Sequence, residues 1–168
     1  MKNIKEYNLD ELKQELISLG EKGYRAVQIF IWLYVEKVKS FDDMTNLSLE
    51  LREKLKQNYT MCNFEILSKQ ESSDGTKKYL FDVLDGNAIE TVLMQYHHGK
   101  TICVSSQIGC KMGCKFCAST GIAFVRGLTS GEIVEQILAV EQDIGEHISN
   151  IVFMGIGEPF DYYDYVMH

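Results

Sequence analysis

The sequence predicts an α/β protein in three parts. These are a small helical domain over residues 1–60, a β-strand connector over 61–95, and the first βα units of a parallel-sheet core over 96–168. Three observations carry the prediction. Apolar residues recur at helical spacing up to about residue 60, and the period changes to strict alternation near Met61. Strand, loop, helix and strand then follow in the order that a parallel βαβ crossover requires.

The elements follow in chain order. Asn8 is placed to cap a first helix with Asp10 and Glu11 in its first turn and Leu12, Leu16, Ile17 and Leu19 as its apolar stripe, ending near Gly20. A second helix, about 24–38, is apolar on nearly every face, which predicts packing on several sides. Ser48 can cap a third helix with Leu51 and Leu55 turned inward. Segments 64–70, 77–84, 88–95 and 100–106 read as strands, divided by Ser-Ser-Asp-Gly, Asp-Gly-Asn and His-His-Gly turns. Thr129-Ser-Gly-Glu132 matches a capping box and opens a helix to about Gln142. A buried strand over 150–154 feeds Gly155-Ile-Gly-Glu-Pro159.

Composition narrows the class. With 168 residues, 45% hydrophobic and 24% charged, the chain has apolar material for a real core and is not of the disordered type. The longest apolar run, Ile29 to Val35, is too short to span a bilayer. The N-terminal segment is charged and lacks the apolar stretch of a secretory signal. Five cysteines cannot all pair internally, so the expectation is a soluble, cytoplasmic protein in a reducing compartment. The net charge is −7, yet no Asp or Glu occurs between Thr91 and Gly131. Lys100, Lys111, Lys115 and Arg126 lie in that window, with His97 and His98 nearby. The window reads either as a local positive field for an anionic ligand or as a segment from which carboxylates are excluded.

Four of the five cysteines fall within fifteen residues: Cys103, Cys110, Cys114 and Cys117. The tight group is Cys110-Lys-Met-Gly-Cys114-Lys-Phe-Cys117, a C-x₃-C-x₂-C run after a strand. Three thiolates in eight residues can converge on one inorganic centre. Iron–sulfur clusters are usually held by four cysteines, so three would leave one iron open to a further ligand. Structural zinc, with Cys103 or one of the histidines as fourth ligand, is the competing reading. Free structural thiols or a disulfide fit such dense spacing poorly.

The run, with Phe116 before its last cysteine, resembles the motif of the radical S-adenosylmethionine superfamily. Glu90-Thr-Val, Cys103-Val-Ser-Ser-Gln-Ile-Gly-Cys110 and Gly-Ile-Gly157-Glu158-Pro159 narrow the resemblance to the RlmN/Cfr family of RNA adenine methyltransferases. Tyr24-Arg-Ala-Val-Gln-Ile-Phe-Ile-Trp32 and Ser73-Asp-Gly-Thr-Lys-Lys-Tyr79 also match that family, so the resemblance runs along essentially the whole chain. It implies a partial (βα)6 barrel and an N-terminal accessory domain that binds RNA. It also implies a [4Fe-4S] cluster on Cys110, Cys114 and Cys117, and S-adenosylmethionine contacted by Gly157 and Glu158. Glu90 would accept a proton from the RNA-linked carbon. Cys103 would be the thiol that resolves a protein–RNA adduct, its thiolate favoured by acid-free, basic surroundings. Cys62 has no motif partner and reads as structural. The implied substrate is adenine C2 of 23S ribosomal RNA, with transfer RNA as a second substrate class and flavodoxin as electron donor.

Members of the family run to about twice this length. A six-unit barrel at about 30 residues per unit needs roughly 180 residues, whereas Tyr96 to His168 supplies far fewer. The expectation is therefore a chain that stops within the core, before the family's second, methyl-carrying cysteine. Two alternatives stay open on sequence grounds: an RNA-binding module with a structural metal, and a different radical S-adenosylmethionine enzyme.

Overall fold

A computed structural model describes all residues 1–168 and divides the chain into two compact units, Met1–Asn63 and Phe64–His168. No helix is long and apolar enough to cross a membrane.

The first unit holds α1 (Leu9–Ser18), α2 (Arg25–Tyr34) and α3 (Leu49–Asn58), closed by a two-residue parallel ladder of β1 (Lys2–Asn3) and β2 (Tyr59–Thr60). Asn8 accepts from the Glu11 backbone N–H while the Glu11 carboxylate accepts from that of Asn8, so the two side chains satisfy donors that a helix start leaves orphaned. Ser48 caps α3 by accepting from the Leu51 N–H. Leu12, Leu16, Ala26, Ile29, Leu33, Leu51 and Leu55 meet in one core with Ile4 and Met44. The expected all-round packing of the second helix is not found. Ala26, Ile29 and Leu33 are buried, but Val27, Ile31 and Val35 are 49%, 47% and 67% exposed. The helix also ends at Tyr34, short of residue 38, and Lys37 turns the chain at a positive φ of 53°.

The second unit is built on one five-stranded sheet in the order β3-β4-β5-β6-β9. Strands β3 (Glu65–Glu71), β4 (Lys77–Asp82), β5 (Ala88–Tyr96) and β6 (Gly99–Cys103) form an antiparallel meander. Helix α4 (Ser130–Ile144) then returns the chain so that β9 (Asn150–Val152) pairs parallel to β6, which is the expected βαβ crossover. A two-residue ladder, β7 (Gln107–Ile108) with β8 (Arg126–Gly127), clasps the base of the cysteine loop, and α5 (Tyr163–Met167) closes the unit. The strands over 65–96 are thus not a connector, as the sequence suggested. They pair continuously with β6 in the same sheet.

Alternation along β5 sorts the two faces. Ile89, Thr91 and Leu93 are buried with Tyr79, Phe81 and Ile102, and the Thr91 hydroxyl reaches Gln136 of α4. Glu90, Val92, Met94 and Tyr96 take the other face, where register sets Val92 opposite Cys103 and Met94 opposite Thr101. That second face carries the candidate site.

Candidate functional site

The expected strand over 100–106 stops pairing regularly at Cys103, and the reason is local. Beyond it, Ser105 is held by three elements at once. Its hydroxyl donates to the Glu90 carbonyl at 2.6 Å and accepts from the Ile156 N–H at 3.0 Å. Its backbone N–H and carbonyl both bond the Gln136 side chain at 2.9 Å. Gln136 is fully buried, and its amide oxygen also accepts from Thr91. The chain leaves the sheet without stranding a buried peptide group, as burial demands.

Residues 104–107 and 155–158 then run side by side. Gly155 N–H donates to the Val104 carbonyl, and the N–H groups of Ser106 and Gln107 both donate to the Ile156 carbonyl. Gln107, fully buried, accepts the Glu158 N–H on its amide oxygen at 3.1 Å. A Cβ at Gly157 would sit 2.7 Å from the Gln107 Cβ and the Ser106 hydroxyl, and φ there is 111°, so this contact requires glycine. Glu158 caps the following turn by accepting from the Phe160 N–H. Its Pro159 neighbour holds it extended.

The cysteine loop rises from the same end of the sheet. At its neck Gly109 packs flat on the Ala123 carbonyl, leaving no room for a Cβ, and Cys110 N–H donates to Ile122. Inside the loop Cys117 N–H donates to the Cys114 carbonyl, which also accepts the Thr120 hydroxyl at 2.6 Å. Cys110 is half-buried, Cys114 and Cys117 are exposed, and all three are free thiols. Phe116 stands 94% exposed between them. The loop does not gather three ligating side chains around a single point. Its donor chemistry nevertheless fits a three-thiolate cluster: three unpaired sulfurs in eight residues, with no carboxylate in the loop to compete.

Glu90 and Cys103 lie on the same sheet face. Cys103 opens into an apolar cleft of about 570 Å³ lined also by Val92, Met94, Thr101, Val152 and Met154. Burial pushes the Cys103 thiol up, and a backbone hydrogen bond from Met154 offsets only part of that rise. This corrects the expectation of a thiolate favoured by basic surroundings. Glu90 is half-exposed and pairs with Lys78 of β4 at 3.1 Å, a partner that sequence reasoning missed. The signal was present in register: Lys78 stands opposite Val92, on the Glu90 face.

The acid-free window is far less positive in space than along the chain. Lys100 pairs with Glu146 at 2.5 Å and Lys111 with Asp161 at 2.7 Å. Arg126 bridges Asp85 at 2.6 Å and Glu132 at 2.7 Å. Of the four cations only Lys115 makes no ion pair, so the field expected from the sequence is largely cancelled. His97 and His98 stack edge-on beside Tyr96, away from the cysteine loop along the strand direction. Cys62 lies half-buried in the first unit.

Comparison with known proteins shows what the chain is similar to. A family model described as the ribosomal RNA large subunit methyltransferase N-terminal domain, RlmN_N, matches residues 2–61. The chain is 52% identical over 168 residues to a probable dual-specificity RNA methyltransferase RlmN of Clostridium novyi, a match covering 99% of this chain and 49% of that protein. Over nearly its whole length the chain is similar to RlmN proteins. A Bacillus subtilis protein of the same description is 50% identical over 162 residues, covering 95% of this chain and 45% of its own length. The fold agrees: the crystal structure of a radical SAM methyltransferase from Sphaerobacter thermophilus superposes with a TM-score of 0.90 at 39% identity, covering 99% of this chain and 50% of that one. The chain thus spans about half the length of the RlmN relatives it matches.

Proposed function

We propose that this chain carries the cluster-binding portion of a radical S-adenosylmethionine methyltransferase acting on RNA. The substrate is adenine C2 of 23S ribosomal RNA, with transfer RNA as a second class. One juxtaposition supports the reading above all others. The cysteine loop, the Gly157–Glu158 segment, Glu90 and Cys103 converge near the C-terminal ends of the parallel pair β6 and β9, where α/β sheets bind their ligands. The likeness to RlmN proteins points to the reaction class.

Cys110, Cys114 and Cys117 would hold a [4Fe-4S] cluster, and Gly157 and Glu158 would bind the methionine end of S-adenosylmethionine. When bound, the cluster supplies one-electron chemistry that no side chain offers; flavodoxin is the class of protein that would deliver the electron. The protein's own residues then bind, orient and move protons. Glu90 accepts at a carboxylate oxygen the proton lost from the RNA-linked carbon, with Lys78 holding the carboxylate. Cys103 would supply the thiol that resolves the protein–RNA adduct: it loses its proton, its sulfur bonds to the sulfur of the family's second cysteine, and the bond from that sulfur to the RNA-linked carbon breaks with its electron pair passing to the RNA. The cleft beside it is walled mainly by apolar side chains. The N-terminal unit would engage RNA, and the cytoplasm is the matching compartment.

Anaerobic reconstitution followed by iron, sulfide and zinc analysis tests the reading. About four irons per chain is expected for a cubane cluster. One zinc and no sulfide would replace this reading by that of an RNA-binding module with a structural metal.

A further inference from the structure

The cysteine loop and the Gly157–Glu158 segment are separated by forty residues of sequence, and one carboxylate touches elements on both sides. Asp161 Oδ2 lies 2.7 Å from the Lys111 ammonium, and Lys111 directly follows Cys110. The same oxygen accepts from the Gln107 side-chain amide at 3.4 Å, and Gln107 accepts the Glu158 backbone N–H on its other end. A second, aromatic contact runs in parallel. Lys111 sits 5.4 Å over the Phe124 ring, and Phe124 packs 6.3 Å from Tyr162, the neighbour of Asp161. Tyr162 in turn lies flat against Gly127, where no Cβ would fit.

We propose that Asp161 is a positioning residue that fixes the cysteine loop against the Gly157–Glu158 segment, through Lys111 on one side and Gln107 on the other. The inference rests on the reading of these segments as cluster and S-adenosylmethionine sites. S-adenosylmethionine would have to reach both segments together, so its affinity depends on their separation, and beyond the neck, where Ser106 and Gln107 bond Ile156, the Asp161 carboxylate carries that spacing into the loop itself. Cluster retention does not depend on Asp161, because the thiols all belong to one loop.

The test uses this chain, anaerobically reconstituted, as wild type, Asp161→Asn, Lys111→Gln and Lys111→Arg. Iron and sulfide are measured, and S-adenosylmethionine is titrated against the electron paramagnetic resonance spectrum of the reduced cluster. Equal iron in all four is expected. The titration midpoint should rise roughly three- to fivefold in Asp161→Asn and Lys111→Gln, the scale of one partly exposed ion pair. Lys111→Arg should restore it. Midpoints within twofold of wild type in both disrupting variants would overturn the proposal while leaving the cluster reading intact. Iron lost from Asp161→Asn or Lys111→Gln would also overturn it, by making the contact a cluster-retention device. Absence of iron and sulfide in the wild type would remove the cluster reading and the inference with it.

Discussion

Gln136 grips the Ser105 backbone with both ends of its side chain, accepting from its N–H and donating to its carbonyl, each at 2.9 Å. In effect an amide side chain from α4 replaces the neighbouring strand at the point where β6 leaves the sheet. The consequence reaches the site, because Ser105 also ties the Glu90 carbonyl to the Ile156 N–H.

Gln136→Leu should therefore destabilise the protein by about 2–4 kcal/mol. The substitution orphans a buried N–H, a buried carbonyl and the Thr91 hydroxyl, each costly to leave unpaired. Urea denaturation checks this. A loss below about 1 kcal/mol would mean that the Ser105 backbone finds other partners.

Each of Cys110→Ala, Cys114→Ala and Cys117→Ala should abolish the brown chromophore of the reconstituted protein, while Cys62→Ala keeps it. The loop has no spare thiol, and Cys62 belongs to the other compact unit. Visible absorbance with iron analysis reads the outcome, and a loop variant that retains full absorbance would refute the ligand assignment.

Cys103 should be the slow thiol of the motif region. Burial raises its pKa, so at pH 7.5 it holds less thiolate than an unperturbed cysteine, whereas Cys114 and Cys117 are open to solvent. Iodoacetamide labelling of the metal-free chain, followed by peptide mass spectrometry, should show Cys103 modified last at pH 7.5. Its rate should go on rising at pH values where an unperturbed cysteine has levelled off. Labelling of Cys103 ahead of both loop cysteines at pH 7.5 would contradict this.

Acid should act on the α4 contact with β3 and β4. Burial alone would raise the Asp143 carboxyl, but hydrogen bonds from Lys69 at 2.6 Å and Tyr79 at 2.8 Å outweigh it and hold the pKa below the usual range. A depressed folded-state pKa contributes stability that is present above the unfolded value, near 3.9. It is lost as pH falls through the folded value. Asp143→Asn should cost roughly 1 kcal/mol at pH 7 and much less near pH 2. Urea midpoints across that range check the sign.

Much of the fold was legible because its signals are local. The Asn8 and Thr129 capping boxes are four-residue patterns, and both helices begin where those patterns put them. The β6–α4–β9 crossover follows from the order of elements alone. What was not legible depends on partners distant in sequence. Lys100 and Lys111 look like free cations because Glu146 and Asp161 lie 40 or more residues away along the chain, as does Asp85, one of the two partners of Arg126. Composition shows that the second helix is apolar but not which face finds a neighbour, so Val27 and Ile31 were misjudged. The cysteine spacing announces a metal-binding loop, yet no local pattern assigns a role to Gln107, Gln136 or Lys78, even though Gln107 and Lys78 lie in stretches that carry the resemblance. Their importance comes from the groups they meet across the sheet.

Gly157→Ala should damage the site through two causes at once, and a second glycine separates them. At Gly145 φ is 67° with nothing within 4 Å of a new Cβ, so alanine there meets only the left-handed backbone penalty. That penalty is roughly 1–2 kcal/mol. At Gly157 φ is 111°, and the new Cβ would also press to 2.7 Å on the Gln107 Cβ and the Ser106 hydroxyl, neither of which is a flexible chain end. Relief requires the 155–158 segment to move off Gln107, which breaks the Glu158 N–H bond to its amide oxygen. Gly157→Ala should therefore cost at least about 1 kcal/mol more than Gly145→Ala in urea denaturation. It should also weaken S-adenosylmethionine binding to the reconstituted protein, which Gly145→Ala leaves unchanged. Equal stability losses and equal binding in the two variants would show that the segment yields without effort, and that its fit against Gln107 is not what holds Glu158.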